Sequence, residues 1–380
     1  MKKPTLLRRK RSEPTFITST TPSDQRSEEG TGAPYNSPKF GMLLEMQASS
    51  YMKQDQLGIK DTCKSLCQML LEKEQPIPKD SLFRDDKTFE MFCAKLQGKN
   101  EAGIFKDLTP LIIPYAEPLA MLGAKHLDVL VESVNEGWNN CIAVTRPRPQ
   151  PDYSVGFGRS AFSDDQLGKL TPFIGDFSYV SYFAATYFMY FPFFTCEVKC
   201  CSTGLEIADR QNAHSMTVAI RGVVELFRGV GREQEIDREI LGFSLSHDHE
   251  SVRIWGHYPV MNGTKATFWR HPIRSFYFTE QNGKERWTAY TFTKNIYDIW
   301  MPIHFKRLSS AINDLPSEQD LQPTQQSELQ IFERSGLSQQ FGSQISTQEP
   351  GEKDSEPSQG ALQPITPDTS TATASKKIKT

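Results

Sequence analysis

Pro192-Phe193-Phe194-Thr195-Cys196-Glu197-Val198-Lys199, and after it Ala208-Asp209-Arg210-Gln211-Asn212, is the stretch on which the reading of this chain turns. The aromatic and β-branched run has strand character. It leads directly into a carboxylate and an amine. Alternate residues of a strand face one side, so Glu197 and Lys199 project together while Val198 packs into the core. Either charge would be costly to bury alone, so both need partners. Behind the run lies an amphipathic helix expected from Arg210 to Val230 and capped by Asp209. Its core face is Met216, Ala219, Ile220, Val223, Leu226, Phe227 and Val230.

Upstream, Arg146-Pro147-Arg148-Pro149 is a stiff connector, and Pro151 to Phe157 reads as a strand ending at glycine. Ser163 opens a short helix. Further upstream the pattern is helical from Met42 to Glu74, from Asp86 to Leu96, and from Glu117 to Asn135, the last on Leu119, Leu122, Leu127, Leu130 and Val131. Gly103-Ile104-Phe105 and Leu111-Ile112-Ile113-Pro114 read as apolar stretches between helices. Downstream come three strands, Ile240 to Ser246, Ser251 to Val260 and Thr267 to Thr279, with a turn at Asn262-Gly263. A closing helix is expected over Lys294 to Ile312. Helices first, then mixed strands and helices, predict an α+β or α/β domain with a central mixed sheet.

Composition sets the bounds. All five Trp of the 380 residues lie between Trp138 and Trp300, so the core sits in the middle. The head, 1–41, and the tail, 317–380, are rich in Ser, Thr, Pro, Gln and charge, and are expected to be disordered. Residues 42–80 read as a helical extension and 81–316 as the globular domain. No run reaches the roughly 18 apolar residues of a membrane span. Met1-Lys2-Lys3-Pro4 is followed by no apolar segment, which predicts an intracellular protein with reduced thiols and no membrane partner. The seven cysteines show no disulfide spacing. A net charge of −3 does not forbid nucleic-acid binding, because only the local patch matters. The basic clusters Arg8-Arg9-Lys10-Arg11 and Lys376-Lys377-Ile378-Lys379 read either as nuclear-import signals or as solubilising charge.

One explanation for Glu197 and Lys199 is a metal site. Magnesium favours carboxylate oxygens, and Asp152, at the start of another strand, is the natural second ligand, with the Val198 carbonyl as a further one. Lys199 would then orient the attacking water and stabilise charge on phosphorus, which is phosphodiester hydrolysis. Pro151-Asp152 followed by Glu197-x-Lys199 resembles the signature of the PD-(D/E)XK, or restriction-endonuclease-like, superfamily. The resemblance implies a mixed sheet flanked by helices, with Asp152 and Glu197 holding Mg²⁺ and Lys199 catalytic. It also implies a glutamine on the following helix, matched by Gln211, and a glutamate from the helix before the aspartate strand, for which Glu132 is the candidate. A closer resemblance, from about Phe83 to Pro316, is to a fungal family of uncharacterised domains. It is carried by Pro149 to Phe157, Phe193 to Cys200, Ala208 to Ser215, Gly256-His257-Tyr258-Pro259 and Trp287 to Asn295, and implies a fungal source but no substrate. The separation of Asp152 from Glu197 requires an insertion looped out between their strands.

Other features read more plainly. His247-Asp248-His249 with His257 lacks the ligand spacing of a zinc site and reads as a polar turn. Gly229-Val230-Gly231 ends a helix and lacks the lysine of a phosphate loop. Arg221, Glu225, Arg228 and Arg232 read as a solvated face, and Tyr179 to Phe194 as core. Two functions remain open: a Mg²⁺-dependent nuclease acting on DNA or RNA, and a catalytically inactive module that binds nucleic acid or a protein.

Overall fold

The computed structural model describes residues 10–11, 34–174, 179–200 and 203–316. Six strands form one sheet in the order β1 (Leu130–Val134), β2 (Tyr153–Phe157), β3 (Tyr190–Val198), β4 (Gly242–His247), β5 (Ser251–Asn262) and β6 (Lys265–Tyr277). The β3–β4 pair is parallel and the other pairs are antiparallel. A parallel pair needs a crossover, and helix α7 (Leu205–Gly229) supplies it. The chain is therefore α+β, a mixed sheet flanked by helices, as its sequence predicts.

Period-two alternation gives the sheet two unlike faces. Phe194 pairs with Phe243, and Phe243 packs on Phe292 and Trp300 of the C-terminal helices. The opposite face carries Thr195, Glu197, Ser244 and Ser246 beneath α7. Asn212 of α7 ties this polar layer together. It accepts from the Thr195 hydroxyl at 2.7 Å, and donates to Leu245 O and Ser246 Oγ at 3.0 Å each. Thr195, Ser246 and Asn212 are tolerated there because they satisfy one another.

The helices before the sheet are α1 (Phe40–Ala48), α2 (Asp61–Glu72), α3 (Asp86–Leu96), α4 (Glu101–Ile112) and α5 (Ala116–Met121). Helix α6 (Asp164–Ile174) lies between β2 and β3. Helices α8 (Thr288–Asn295) and α9 (Met301–Asn313) close the domain, joined by a π-helical turn over Ile296–Trp300. Cys63, Cys67 and Leu70 of α2 are part of the main core, and Phe40 and Leu44 of α1 pack on Ala213 of α7. Among the described residues, no helix is long and apolar enough to cross a membrane.

Several expectations need correction. The helix expected from Met42 to Glu74 is two helices, because Ser49 takes a left-handed φ of 50° and ends the first. The helix expected from Glu117 to Asn135 stops at Met121. Gly123, with φ 114°, breaks it, and Leu130–Val134 is the edge strand β1. Asp209 does not cap α7 but lies inside it. Gly103-Ile104-Phe105 and Leu111-Ile112 belong to one helix, α4, capped by Asn100 accepting from Gly103 N. The expected disordered head and tail fall outside the described residues, with two exceptions. Lys10–Arg11 pairs with Tyr179–Val180, and residues 34–41 form a 3-10 turn and the start of α1.

Candidate functional site

Tyr153 of β2 pairs with Cys196 of β3, which sets Asp152 beside Glu197 on the α7 side of the sheet. The two carboxyl groups share a hydrogen bond. Asp152 Oδ2 also accepts from Val198 N at 2.7 Å, which anchors the start of β2 to the end of β3. Lys199 N donates to His247 O at 2.9 Å and so continues the β4 pairing. The Lys199 amine donates to Val198 O at 2.5 Å and to Glu101 Oε1 at 3.1 Å. Glu101 comes from the first turn of α4. Four groups from three distant segments of the chain thus meet at one corner of the sheet.

Burial decides their charge. Glu197 is 1% exposed and Lys199 4%. Burial pushes the Glu197 carboxyl well above the ordinary carboxylate range, and the charge of Asp152 adds to this, against the pull of Lys199. Burial also raises Asp152, offset by Lys199 and the Val198 amide. Glu197 therefore holds the proton of the pair and donates it to Asp152. Burial alone would lower the Lys199 amine. Glu197, Asp152 and Glu101 outweigh it, so the amine stays protonated, above its ordinary value. Glu197 Oε2 is buried and has no hydrogen-bond partner. Glu101 keeps 42% of its side chain exposed and marks the side open to solvent.

The sequence expectation of Asp152, Glu197 and Lys199 as one cluster matches this geometry. Glu132 does not join them. It lies on β1, not a helix, and accepts from the Tyr153 hydroxyl and the Ala116 amide. Tyr153 and Asp152 are neighbours on a strand, so Glu132 faces the opposite side. Gln211 sits in α7 with its Oε1 buried and unpaired, and its neighbour Asn212 makes the contacts to β3 and β4. Two participants were missed. Glu101 lies just before Gly103-Ile104-Phe105, where the sequence reading assigns no helix, although Ile104, Leu108 and Ile112 recur every four residues behind a capping Asn100. Tyr35 lies within the head, residues 1–41, that composition predicts to be disordered. Its hydroxyl bonds His214 Nδ1 at 2.8 Å, and it lies within electrostatic reach of Glu197.

His247 and His257 are structural. His247 Nε2 pairs with the Thr109 hydroxyl and His257 Nε2 with the Ser244 hydroxyl, at 2.9 and 2.8 Å. Burial lowers them to about 4 and about 3. Among the described residues, no group of three or more His, Cys, Asp and Glu is gathered ready to hold a metal ion. Asp152 and Glu197 form a pair, to which Glu101 is linked through Lys199.

Fold and site together define a class: an α+β domain whose mixed sheet carries a buried carboxyl pair and a lysine at the meeting of two strands. The chain belongs to the family described as a domain of unknown function (DUF7924), which matches residues 88–312 and so includes all four clustered residues. No curated protein and no solved structure matches it.

Proposed function

We propose that the domain is a PD-(D/E)XK-like, metal-dependent nuclease. The observation that carries this reading is the hydrogen-bonded pairing of the Asp152 and Glu197 carboxyl groups with the Lys199 amine beside them. Two carboxylates side by side cannot both ionise in a buried site, so a proton or a cation must stand between them. The donors suit a hard divalent ion of the magnesium class: a carboxylate oxygen of Asp152, the unpaired Oε2 of Glu197, and the Val198 carbonyl. When bound, such an ion supplies charge neutralisation and a lowered pKa for water. Glu197 gives up its proton to make room. Three carboxylates then face one lysine and two cationic charges, so the cluster is neutral.

Lys199 stays cationic, so it acts as a donor and not as a base. It positions a non-bridging phosphate oxygen and stabilises the charge that grows there. Val198 O and Glu101 fix its direction. Water would attack phosphorus, forming one P–O bond as the P–O bond to the sugar breaks; the water gives its proton up to solvent and the departing sugar oxygen takes one back from solvent, so no net proton is gained or lost. DNA or RNA as substrate, the restriction-endonuclease-like fold, and nuclear import through Arg8-Arg9-Lys10-Arg11 all belong to this proposal.

The burial of Glu197 and Lys199 favours a second reading, a module of the same fold that binds nucleic acid or protein without turnover. Incubation of the purified protein with plasmid and single strands, in Mg²⁺, in Mn²⁺ and in EDTA, separates the two. The nuclease reading expects metal-dependent cleavage that is lost in Lys199→Ala. Absence of cleavage, or cleavage unchanged in that variant, rejects it.

A further inference from the structure

A second site lies on the same face of the sheet. Glu197 of β3 is in register with Ser246 of β4, and Ser246 with Arg253 of β5. Two strand spacings put Arg253 about 10 Å from the carboxyl pair. Arg253 binds Asp209 and Glu206 of α7 at 2.8 and 2.9 Å. Both acids line a cavity of about 460 Å³ that is also bordered by Lys53, Arg210 and Arg270.

Arg270 is the unusual member. It is 8% exposed and stacks on Trp255, its guanidinium carbon 3.8 Å from the ring centre. Its Nε donates to Met52 O at 3.0 Å, and its Nη1 is buried without a partner. Among the described residues, no carboxylate lies within ion-pair distance to answer its charge. Asp209 is already engaged by Ser246, Trp255 and Arg253, and Glu206 by Arg253. A buried cation without a counter-ion is costly, and an acceptor from outside would relieve it. Arg210 spends its Nε on Tyr35 O, and Lys53 is exposed at the rim. The lining holds three cations and three carboxylates, the third being the exposed Glu45, and two of those carboxylates are already bound by Arg253. A further wall carries Tyr51, stacked on Trp269 at 4.0 Å. Cationic forks beside a flat aromatic wall suit a phosphate with its sugar and base.

We propose that this pocket binds a phosphate group of a nucleic-acid strand, with Arg270 as its anchor. That the ligand is a strand rests on the nuclease reading of the carboxyl pair; the phosphate chemistry does not. The site would hold the strand to one side of the bond being cut.

The test uses the full chain in EDTA, where no turnover occurs, so it stands or fails apart from the cleavage assay. Inorganic phosphate, a 5′-phosphorylated hexathymidylate and the same oligonucleotide without its terminal phosphate are titrated and followed by tryptophan fluorescence. Both oligonucleotides are expected to bind alike. Arg270→Met should weaken them about tenfold or more. Lys53→Glu, an exposed change that leaves packing intact, should weaken them severalfold, and Arg270→Lys should fall between. Binding by inorganic phosphate alone overturns the strand assignment. No binding of any probe, or affinities unchanged in Lys53→Glu and in the folded Arg270 variants, overturns the pocket.

Discussion

Glu197→Gln is expected to stabilise the metal-free protein, by an amount that depends on pH. In the folded chain burial keeps Glu197 protonated, with Asp152 accepting from it. In the unfolded chain it ionises around 4.5. Folding above that pH must therefore take up a proton. A carboxyl raised in this way gives its full contribution at low pH and loses it as pH rises towards the folded value, by about 1.4 kcal/mol per pH unit. Glutamine has no such loss, and its amide donates to Asp152 as the acid O–H did. The variant and the natural protein should be close near pH 4.5. By neutral pH the variant should lead by up to about 3 kcal/mol, or roughly 5 °C in Tm for a domain of this size. Thermal unfolding of both proteins in EDTA at several pH values measures the gap. A gap that stays constant with pH, or a variant that is less stable throughout, would refute the shared-proton argument.

Other outcomes follow from the packing. His304 is stacked on Trp300 at 4.4 Å with neither ring nitrogen bonded, and burial lowers it to about 3. Its folded value lies below its unfolded one, so stability is lost as pH falls below about 6.5. His304→Leu should match the natural protein near neutrality and gain on it in acid by up to about 1.4 kcal/mol per pH unit, the opposite slope to Glu197→Gln. Asn212→Leu strands the Thr195 hydroxyl and takes a donor from the Leu245 carbonyl and from Ser246, whose bond to Asp209 remains, and should cost roughly 2 kcal/mol in denaturant unfolding. Gly222→Ala would set a methyl 2.2 Å from the Tyr182 carbonyl, and should cost about 1–3 kcal/mol in the same assay.

The sheet was legible because its strands obey simple patterns. The run from Phe193 to Lys199 and the turn at Asn262-Gly263 lie where their chemistry puts them, with Gly263 in the left-handed region. The edge strand β1 was not legible. Leu127, Leu130 and Val131 continue the spacing of α5 by coincidence, and the break is set by one glycine. That error carried Glu132 into the candidate site, since a residue placed on a helix has no assigned face on a sheet. Helix α4 was obscured by Gly103 and Pro110, both helix-weakening residues, and Glu101 was lost with it. Asp152 and Glu197 could be paired from sequence because each sits at a strand end. Their shared proton could not, because it follows from how deeply the folded chain buries them.

Calorimetric titration of Mn²⁺ into the apo-protein, in two buffers of different ionisation enthalpy, bears most directly on the carboxyl pair as a cation site. One ion should bind and release about one proton near neutral pH, as Glu197 ionises. Glu197→Gln should bind far more weakly and release none. Absence of binding heat in the natural protein, or equal binding and proton release in Glu197→Gln, would contradict the account.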